Sequence, residues 1–389
     1  MNAPVVAVVG GGQLARMMQQ QAVALGVHLR VLVESPTVSA AQVVPDVSVG
    51  AASDGVAIAA LVAGSASASA SGPAAALTFE HEHVPAEILE RLSADGVAVR
   101  PGPHALLHAQ DKIVMRRALT AAGLPCPAWA AVSDRLELTA FGEQAGWPVV
   151  VKTARGGYDG KGVRVVSSAD EAGDWLSALE PGGQLLAEAK VPFTRELAVL
   201  VARRPSGELR SWPTVQTVQQ DGVCFEVTAP APGLEPAVAQ RAEEIAERIA
   251  TALDVTGVLA VEMFEVDGEL FVNELAMRPH NSGHWSIDGS ITSQFEQHLR
   301  AVLDLPLGET APTAPHAVMV NLLGSALEDP VAAYPEVMAR YPRAKVHLYG
   351  KEVRQGRKLG HVTVTGEDLK AARAAAHGAV ALLRGEEPA

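Results

Sequence analysis

The sequence predicts an α/β protein built from several lobes, with α+β character in the central ones, and three observations indicate this. The apolar run Val5–Val9 leads into a glycine turn, a helix start and a second strand at His28–Val33, which is a βαβ opening. The middle of the chain alternates short apolar strands with glycine-rich loops. Its 389 residues, 48% of them hydrophobic, exceed the usual size of a single core.

We expect four segments along the chain. They are an open parallel-sheet domain (1–110), a small lobe with a glycine-rich loop (111–190), a large lobe with a carboxylate-bearing hairpin (191–310) and a small β-rich C-terminal lobe (311–389). Pro306–Pro315 has the composition of a linker before the last segment.

Composition argues against several classes of protein. A net charge of −13 and a pI near 5.4 oppose nucleic-acid binding, because neutralising phosphates needs a basic surface. Cys126 and Cys224 lack metal-binding spacing, so we expect a reduced, cytoplasmic protein without disulfides. The uncharged stretch from Gly55 to Phe79 is too rich in Ser, Gly and Pro for a membrane helix, and predicts a helix at Asp54–Ala63 followed by a mobile loop. We also expect no signal peptide, because no basic region precedes the first apolar run.

The first glycine turn matches a dinucleotide-binding fingerprint. Gly10, Gly12 and Ala15 satisfy G-x-G-x-x-A, and Glu34 stands about where a ribose-binding acid is expected. The physical content of the pattern is that backbone N–H groups at a helix N-terminus approach an anion closely, and a substrate phosphate satisfies this as well as a pyrophosphate. A nicotinamide-dependent oxidoreductase therefore remains one of the functions to test.

A third strand, Ala75–Phe79, runs into the polar run Glu80-His81-Glu82-His83. This run falls at the carboxyl edge of the predicted sheet, where ligands bind. Residues two apart on a strand share a face, so the two acids point away from the two histidines. The pattern favours a substrate contact by one acid over a metal site.

A glycine-rich loop follows the first lobe. The preceding helix, predicted over Gln110–Ala122, carries basic side chains that are either functional or simply solvated, at Lys112, Arg116 and Arg117. A strand then delivers Lys152, and a second strand begins at Val163. Loops of this kind close backbone amides over phosphates, although a plain mobile hairpin is the alternative. The loop residues concerned are Gly156, Gly157, Gly160, Lys161 and Gly162.

Two further strands resemble an adenine-binding arrangement. The strand Gln184–Ala187 ends at Glu188, and the strand Phe193–Ala202 carries Glu196, with Val191 in the linker between them. Exposed linker amides and carbonyls can read the edge of a base. The amphipathic helix over Glu235–Leu253 is interpreted as structural.

The richest stretch is the hairpin Gly257–Ala276, in which Glu262 and Glu274 interrupt apolar strands. Burying two carboxylates is costly unless a cation neutralises them, so a metal or a cationic substrate is expected there, against the alternative of a solvated hairpin. We predict a three-residue loop, Val266-Asp267-Gly268, that pairs Glu262 with Val272 and turns both acids to one face.

The C-terminal lobe is predicted to contain strands at His316–Leu322, Lys345–Leu348 and His361–Val364, with a closing helix from Glu367. Between the last two strands, four basic residues lie among glycines from Lys351 to Lys358. This is a candidate anion-binding loop, with a solvated face as the alternative.

In this order, the lysine strand with its glycine loop, the Glu188 linker and the carboxylate hairpin resemble the ATP-grasp superfamily. Within it, the chain resembles the 5-(carboxyamino)imidazole ribonucleotide synthase family of bacterial purine biosynthesis over nearly its whole length. The motifs are GGGQLARM (10–17), ARGGYDGKG (154–162), NELAMRPHNSGHW (273–285) and GRKLGHV (356–362). The resemblance implies an ATP-grasp fold, with an N-terminal pre-ATP-grasp domain and a small C-terminal lobe.

The resemblance also implies a carbon–nitrogen ligase that carboxylates 5-aminoimidazole ribonucleotide with ATP and bicarbonate through carboxyphosphate, and a homodimer with no nucleic-acid or membrane partner. Magnesium would bind Glu262 and Glu274, and Arg278, His280 and Asn281 would hold bicarbonate and carboxyphosphate. ATP would contact Lys112, Lys152, Gly156, Gly157, Gly160, Lys161, Gly162, Glu188, Val191, Glu196, Asn273 and Glu274. The ribonucleotide would contact Gln13, Glu82, Tyr158, Asp159, Lys351, Arg357 and Lys358.

The chain departs from the commoner family pattern at several positions that concern the adenine and ribose contacts. They are Gln216, Thr217, Gln219, Ala189 and Met277. Besides the oxidoreductase, two alternatives are open: another ATP-grasp ligase that uses formate or an amino acid, and a nucleotide-binding regulatory protein without catalysis.

Overall fold

A computed structural model of the chain describes residues 3–64, 72–157 and 161–388. Most of the loop predicted after Ala63 lies outside these ranges, as do Tyr158, Asp159 and Gly160 of the glycine-rich loop. Within the described ranges, no helix is both long and apolar enough to cross a membrane.

The N-terminal lobe is an open parallel sheet in the order β3-β2-β1-β4, as the βαβ opening predicts. The strand β1 is buried along its whole length, which explains its uninterrupted apolar sequence. The elements are β1 (Val5–Val9), α1 (Gln13–Leu25), β2 (His28–Val33), β3 (Asp46–Val49), α2 (Gly55–Ala63), β4 (Ala76–Phe79), α3 (Ala86–Ala94) and α4 (Pro103–Gln110).

The small lobe is an antiparallel sheet in the order β5-β8-β6-β7. The helix predicted from Gln110 begins later, because Asp111 is extended and its carboxylate accepts the N–H groups of Ile113 and Val114 as an N-cap. The elements are α5 (Lys112–Ala121), β5 (Trp129–Val132), α6 (Arg135–Ala145), β6 (Val149–Thr153), β7 (Val163–Val166), α7 (Gly173–Ser177) and β8 (Leu185–Ala189).

The large lobe and the C-terminal lobe share one antiparallel sheet. Its elements are β9 (Arg195–Arg203), β10 (Leu209–Ser211), β11 (Val215–Gln220), β12 (Val223–Ala229), α8 (Pro236–Ala252), β13 (Gly257–Val266), β14 (Glu269–Ala276), α9 (Ser286–Gly289), α10 (Gln294–Val302), β15 (His316–Leu323), α11 (Tyr334–Arg340), β16 (Lys345–Leu348), β17 (Lys358–Gly366) and α12 (Leu369–Arg384). The strand order is β14-β13-β9-β11-β12-β15-β17-β16, with β10 on β9. Direct pairing of β12 with β15 makes the C-terminal strands a continuation of the large lobe.

The amphipathic helix α8 has the structural role that its pattern predicts. Its apolar stripe is buried against the core of the large lobe, at Val238, Ala242, Ile245 and Ile249, with Leu253 just beyond its end. The same core continues into the N-terminal lobe.

The turn of the carboxylate hairpin differs from our prediction. It is a two-residue turn, because Val266 pairs with Glu269 and both Asp267 and Gly268 have positive φ, 48° and 85°. Aspartate, like asparagine, adopts positive φ more readily than most residues, and glycine adopts it freely. Asp267-Gly268 can therefore form the two-residue turn. The predicted three-residue loop is therefore wrong.

A β-bulge places Glu262 and Glu274 on one face of the hairpin, as the predicted three-residue loop would have done. Met263 pairs with Val272, but Glu262 pairs with Glu274, so Asn273 is the extra residue on β14. The predicted pairing of Glu262 with Val272 is wrong, whereas the conclusion that Glu262 and Glu274 share a face is confirmed. The extra residue shifts the register of β14 by one position. The side chain of Glu274 therefore points to the opposite face of the sheet from the one it would occupy without the bulge.

A buried histidine joins the N-terminal lobe to the large lobe. His298 Nδ1 accepts the Val258 N–H at 3.1 Å, so the ring proton is on Nε2, which lies 2.8 Å from Thr78 Oγ1. Burial lowers the pKa of His298 to about 3, and the ring is neutral.

We expect the protein to lose stability as the pH falls below about 6.5, because the unfolded chain then binds a proton that folded His298 does not. Between pH 7 and pH 5, this residue accounts for a loss of about 2 kcal/mol in the free energy of unfolding. His298→Gln should be less stable than the wild type at pH 7 but lose less stability on acidification. Urea denaturation at both pH values measures this, and equal losses in the two proteins would contradict it.

Candidate active site

A cavity of about 1060 Å³ opens where the lobes meet. Its walls include Gln13 and Glu82 from the N-terminal lobe, both carboxylates of the hairpin, and Lys358 from β17. The sequence-predicted residues that it brings together are Gln13, Glu82, Lys112, Lys152, Gly156, Gly157, Glu188, Val191, Glu196, Glu262, Asn273, Glu274, Arg278, His280, Asn281 and Lys358.

The hairpin supplies a pair of crowded carboxylates. Burial, and then the charges of Glu274 and Glu196, raise the pKa of Glu262 to about 8. Lys112 Nζ lies 3.5 Å from Glu274 Oε1. Among the described residues, no group of three or more His, Cys, Asp or Glu side chains is arranged to hold a metal ion unaided. A pair of carboxylates that still needs positive charge fits a divalent cation that takes its other ligands from phosphate and water.

Beside this pair, basic side chains hold a buried acid. Glu188 Oε2 lies 2.7 Å from Lys152 Nζ, and its Oε1 accepts Arg116 Nε at 2.5 Å. Burial alone would raise the pKa of Glu188, but Arg116 and Lys152 lower it below its ordinary value, so the acid is ionised. Lys152 Nζ also donates to Asn273 Oδ1 at 3.0 Å, which connects the small lobe to the bulge.

The strand-linker-strand region forms an apolar slot. Val150, Val165 and Val191 line the cavity there, and the ring of Phe193 stacks on that of Phe264 with 4.6 Å between centroids. Burial raises the pKa of Glu196, also in the wall. A planar heterocycle fits between such aliphatic and aromatic surfaces.

Gly156 and Gly157 of the glycine-rich loop line the same cavity. Gly157 has φ of 76°, and a Cβ there would lie 2.6 Å from the carbonyl oxygen of Lys161, so the position requires glycine. Lys112 Nζ donates to the Gly156 carbonyl at 3.0 Å. Lys161 and Gly162, at the end of the loop, are outside the lining of the cavity.

At the other end of the cavity, Arg278 and His280 follow β14. Arg278 Nε lies 3.0 Å from Glu82 Oε1, so the N-terminal lobe orients this guanidinium. His280 Nδ1 accepts the Ser282 N–H, which places the ring proton on Nε2, 3.6 Å from Glu262 Oε1. Burial, with Arg278 and Lys358 nearby, lowers the pKa of His280 to about 3, and the ring is a neutral donor.

Asn281 presents its amide nitrogen as a free donor. Asn321 Nδ2 donates to the Cys224 carbonyl at 2.8 Å and to Asn281 Oδ1 at 3.1 Å, which fixes the orientation of both amides. Asn281 Nδ2 is buried and has no hydrogen-bond partner among the described residues. A buried donor without an acceptor is costly, so an acceptor oxygen of a ligand fits here.

His284 presents a second free donor beside the first. Gln294 Oε1 accepts the His280 N–H, so Gln294 Nε2 faces His284 Nδ1 at 2.9 Å and donates to it. The remaining nitrogen, Nε2, carries the proton, and no residue in the described ranges accepts it. Asn321 and Gln294 had no signal in the sequence, because their roles depend on contacts across distant elements.

The dinucleotide fingerprint has a different explanation. The Glu80 carboxylate accepts the N–H groups of Gly12 and Leu14, so it occupies the N-terminus of α1 where a phosphate would bind. The interpretation of this turn as a cofactor site is therefore wrong. Glu80 and Glu82 also follow β4 and are not part of it, so the alternation argument does not apply to them.

The basic residues of the C-terminal lobe are divided between two locations. Lys358 lines the main cavity, whereas Lys351 and Arg357 do not. Lys351 Nζ instead contacts Gln13 Oε1, and Arg357 Nη1 donates to the Glu352 carbonyl at 3.2 Å. Of the residues that depart from the family pattern, Gln219 and Ala189 line the cavity.

Three family models match successive parts of the chain. They are the ribonucleotide synthetase preATP-grasp domain (residues 4–110), the ATP-grasp domain (117–295) and the phosphoribosylaminoimidazole carboxylase C-terminal domain (317–375). Together with the carboxylate hairpin and the lysine strand, these matches define the protein as an ATP-grasp ligase that uses ATP.

Relatives identify the family. The N5-carboxyaminoimidazole ribonucleotide synthase of Mycobacterium tuberculosis is 52% identical over 373 residues, covering 94% of this chain and 85% of the relative. The Thermus thermophilus N5-carboxyaminoimidazole ribonucleotide synthetase is 38% identical with a TM-score of 0.85, covering 99% of both chains. The Aspergillus clavatus enzyme, solved with ADP and 5-aminoimidazole ribonucleotide, is 32% identical with a TM-score of 0.86, covering 98% of this chain and 99% of that one. The chain belongs to the N5-carboxyaminoimidazole ribonucleotide synthase family, which rules out the oxidoreductase alternative.

Proposed function

We propose that this enzyme carboxylates the exocyclic amine of 5-aminoimidazole ribonucleotide, using ATP and bicarbonate, to give 5-(carboxyamino)imidazole ribonucleotide, ADP and phosphate. The observation that carries the proposal is the donor-rich end of the cavity, where Arg278, His280 and Asn281 all present N–H groups. This end adjoins the carboxylate pair, since His280 lies beside Glu262. An oxyanion acceptor is thus held next to the expected position of the ATP phosphates.

The proposed reaction has two steps. A bicarbonate oxygen attacks the γ-phosphorus of ATP, the bond to ADP breaks, and carboxyphosphate forms. The amine nitrogen then attacks the carboxyl carbon, the bond to phosphate breaks, and the amine loses a proton. Arg278 suits the planar anion because its guanidinium donates two parallel hydrogen bonds. His280 and Asn281 are neutral and add N–H donors to the same anion.

Magnesium, when bound to Glu262 and Glu274 with the β- and γ-phosphates of ATP, would offset charge during phosphoryl transfer. Lys112 and Lys152 add positive charge on the same side. Val191, Phe193 and Glu196 are assigned to the adenosine, in a slot of matching shape. The glycine-rich loop, with Gly156, Gly157, Gly160, Lys161 and Gly162, is assigned to cover the phosphates.

We assign 5-aminoimidazole ribonucleotide to the space between the N-terminal lobe, the glycine-rich loop and the C-terminal lobe. Gln13 and Glu82 line the cavity there, and Lys358 faces it from β17. Tyr158, Asp159, Lys351 and Arg357 complete the proposed set. The bound ligand in the Aspergillus clavatus relative supports the choice of substrate.

The proposed function is tested by ATP turnover with each substrate omitted in turn. We expect ADP formation to require both bicarbonate and 5-aminoimidazole ribonucleotide, and mass spectrometry to detect the carboxylated product. Equal turnover with formate or an amino acid in place of bicarbonate would show a different ATP-grasp ligase. ATP binding with no product under any condition would show a regulatory protein.

We further propose a cytoplasmic homodimer. Cys126 and Cys224 are thiols, not disulfide partners, which agrees with a reducing compartment, and the acidic net charge agrees with the absence of nucleic-acid partners. Sedimentation at twice the chain mass of 40.5 kDa is the expected result.

A further inference from the structure

Arg116 lies at the contact between the two ATP-binding lobes, and no atom of it reaches the surface. It is fully buried on α5, whereas its neighbour Arg117 is exposed on the same helix. An isolated guanidinium is expensive to bury, so its partners indicate what it does.

The guanidinium contacts residues of two different lobes. Nε donates to Glu188 Oε1 on β8 at 2.5 Å, and Nη2 donates to the backbone carbonyl of Asn273 on β14 at 2.7 Å. Glu188 is the buried acid that balances the charge. The carbonyl belongs to the bulge residue of the carboxylate hairpin.

The bulge determines which face Glu274 occupies. Continued without interruption from its two-residue turn, the hairpin would pair Glu262 with Asn273 and leave Glu274 on the opposite face. Because the bulge residue lacks a cross-strand partner, its carbonyl needs another donor once it is buried. Arg116 supplies that donor, and Lys152 holds the side chain of the same residue at 3.0 Å.

We propose that Arg116 is a positioning residue that keeps the bulge at Asn273 formed and thereby keeps Glu274 beside Glu262. Its planar fork joins Glu188 and the bulge at once, in a geometry that a lysine ammonium does not reproduce. Lys152 is then free to turn toward a nucleotide phosphate while the bulge is retained. This inference rests on the proposed function, because it relies on the metal-binding role proposed there for Glu262 and Glu274.

The test measures metal binding directly, without bicarbonate or 5-aminoimidazole ribonucleotide. Mn²⁺ binding to the enzyme with a non-hydrolysable ATP analogue is followed by electron paramagnetic resonance. We expect Arg116→Lys to weaken Mn²⁺ binding about tenfold and Arg116→Met to weaken it further, as for other residues that orient metal ligands. Arg117→Lys is the matched control and should bind Mn²⁺ like the wild type.

A double variant separates positioning from general structure. In the Glu274→Gln background the bulge no longer delivers a carboxylate, so adding Arg116→Lys should change Mn²⁺ binding by less than about twofold. The proposal is overturned if folded Arg116→Lys binds Mn²⁺ within about twofold of the wild type, or if its full loss persists in the Glu274→Gln background. Circular dichroism establishes folding, and Arg116→Lys carries the test if Arg116→Met does not fold. Failure of bicarbonate-dependent turnover would reject the proposed reaction and leave these binding results unaffected.

Discussion

Glu274→Gln is expected to lower turnover at saturating magnesium by at least about 100-fold, a few kcal/mol of transition-state stabilisation, while the fold survives. The substitution keeps the shape of the side chain and removes one of the two carboxylates that face each other across the hairpin. Because the cation offsets charge during phosphoryl transfer, losing one of its charged ligands affects the transition state more than ATP binding. Steady-state kinetics with product detection checks this, and turnover within about threefold of the wild type would remove Glu274 from the metal site.

The same variant has an expected effect on stability without magnesium. The raised pKa of Glu262 means that its favourable contribution is present below the unfolded pKa and is lost as the pH rises through about 8. Removing the Glu274 charge lowers the pKa of Glu262, so Glu274→Gln should unfold at a higher temperature than the wild type at pH 8, with little difference at pH 5. The opposite order at pH 8 would show that the two side chains do not repel.

Asn281→Asp abolishes most bicarbonate-dependent turnover, with an expected loss of about 100-fold or more, because it converts a free donor into an anion at the same position. Asn321 Nδ2 still donates to one carboxylate oxygen, so the side chain keeps its place. The second oxygen then faces the bicarbonate site in place of an N–H group and repels the substrate.

The measurement is turnover as a function of bicarbonate concentration, together with calorimetry of the ATP analogue. Affinity for the analogue should stay within about threefold of the wild type, since the adenosine slot is at the other end of the cavity. Unchanged bicarbonate dependence would place the anion elsewhere. Loss of both turnover and binding of the ATP analogue would indicate a folding defect, which circular dichroism detects.

The strands and helices were predictable where one period dominates. The apolar run of β1 and the buried apolar stripe of α8 each extend over enough residues to outweigh local exceptions. The hairpin was predicted over Gly257–Ala276, and the structure has its two strands within those bounds, although Val266 belongs to β13 and not to the turn. The bulge was not predictable from period or turn residues, because Arg116 comes from a segment more than 150 residues away, as its contact with Asn273 shows.

The candidate site was predictable where its polar residues stand close together in the sequence and interrupt apolar segments. The hairpin acids and the residues after β14 stand out because polar side chains interrupt apolar strands. The fingerprint at Gly10–Ala15 shows the limit of a local pattern: the pattern is complete, but Glu80, which follows β4, fills the anion position. The orienting amides of Gln294 and Asn321 have no local pattern at all.

The continuous sheet from β14 to β16 has a mechanical consequence. Main-chain hydrogen bonds run without a break from the carboxylate hairpin to the lobe that carries Lys358, so these parts form a single rigid frame. In the described parts of the chain, the small lobe has a separate sheet that pairs with none of those strands. A change in the angle between the two sheets would therefore leave the carboxylate hairpin and Lys358 fixed relative to each other.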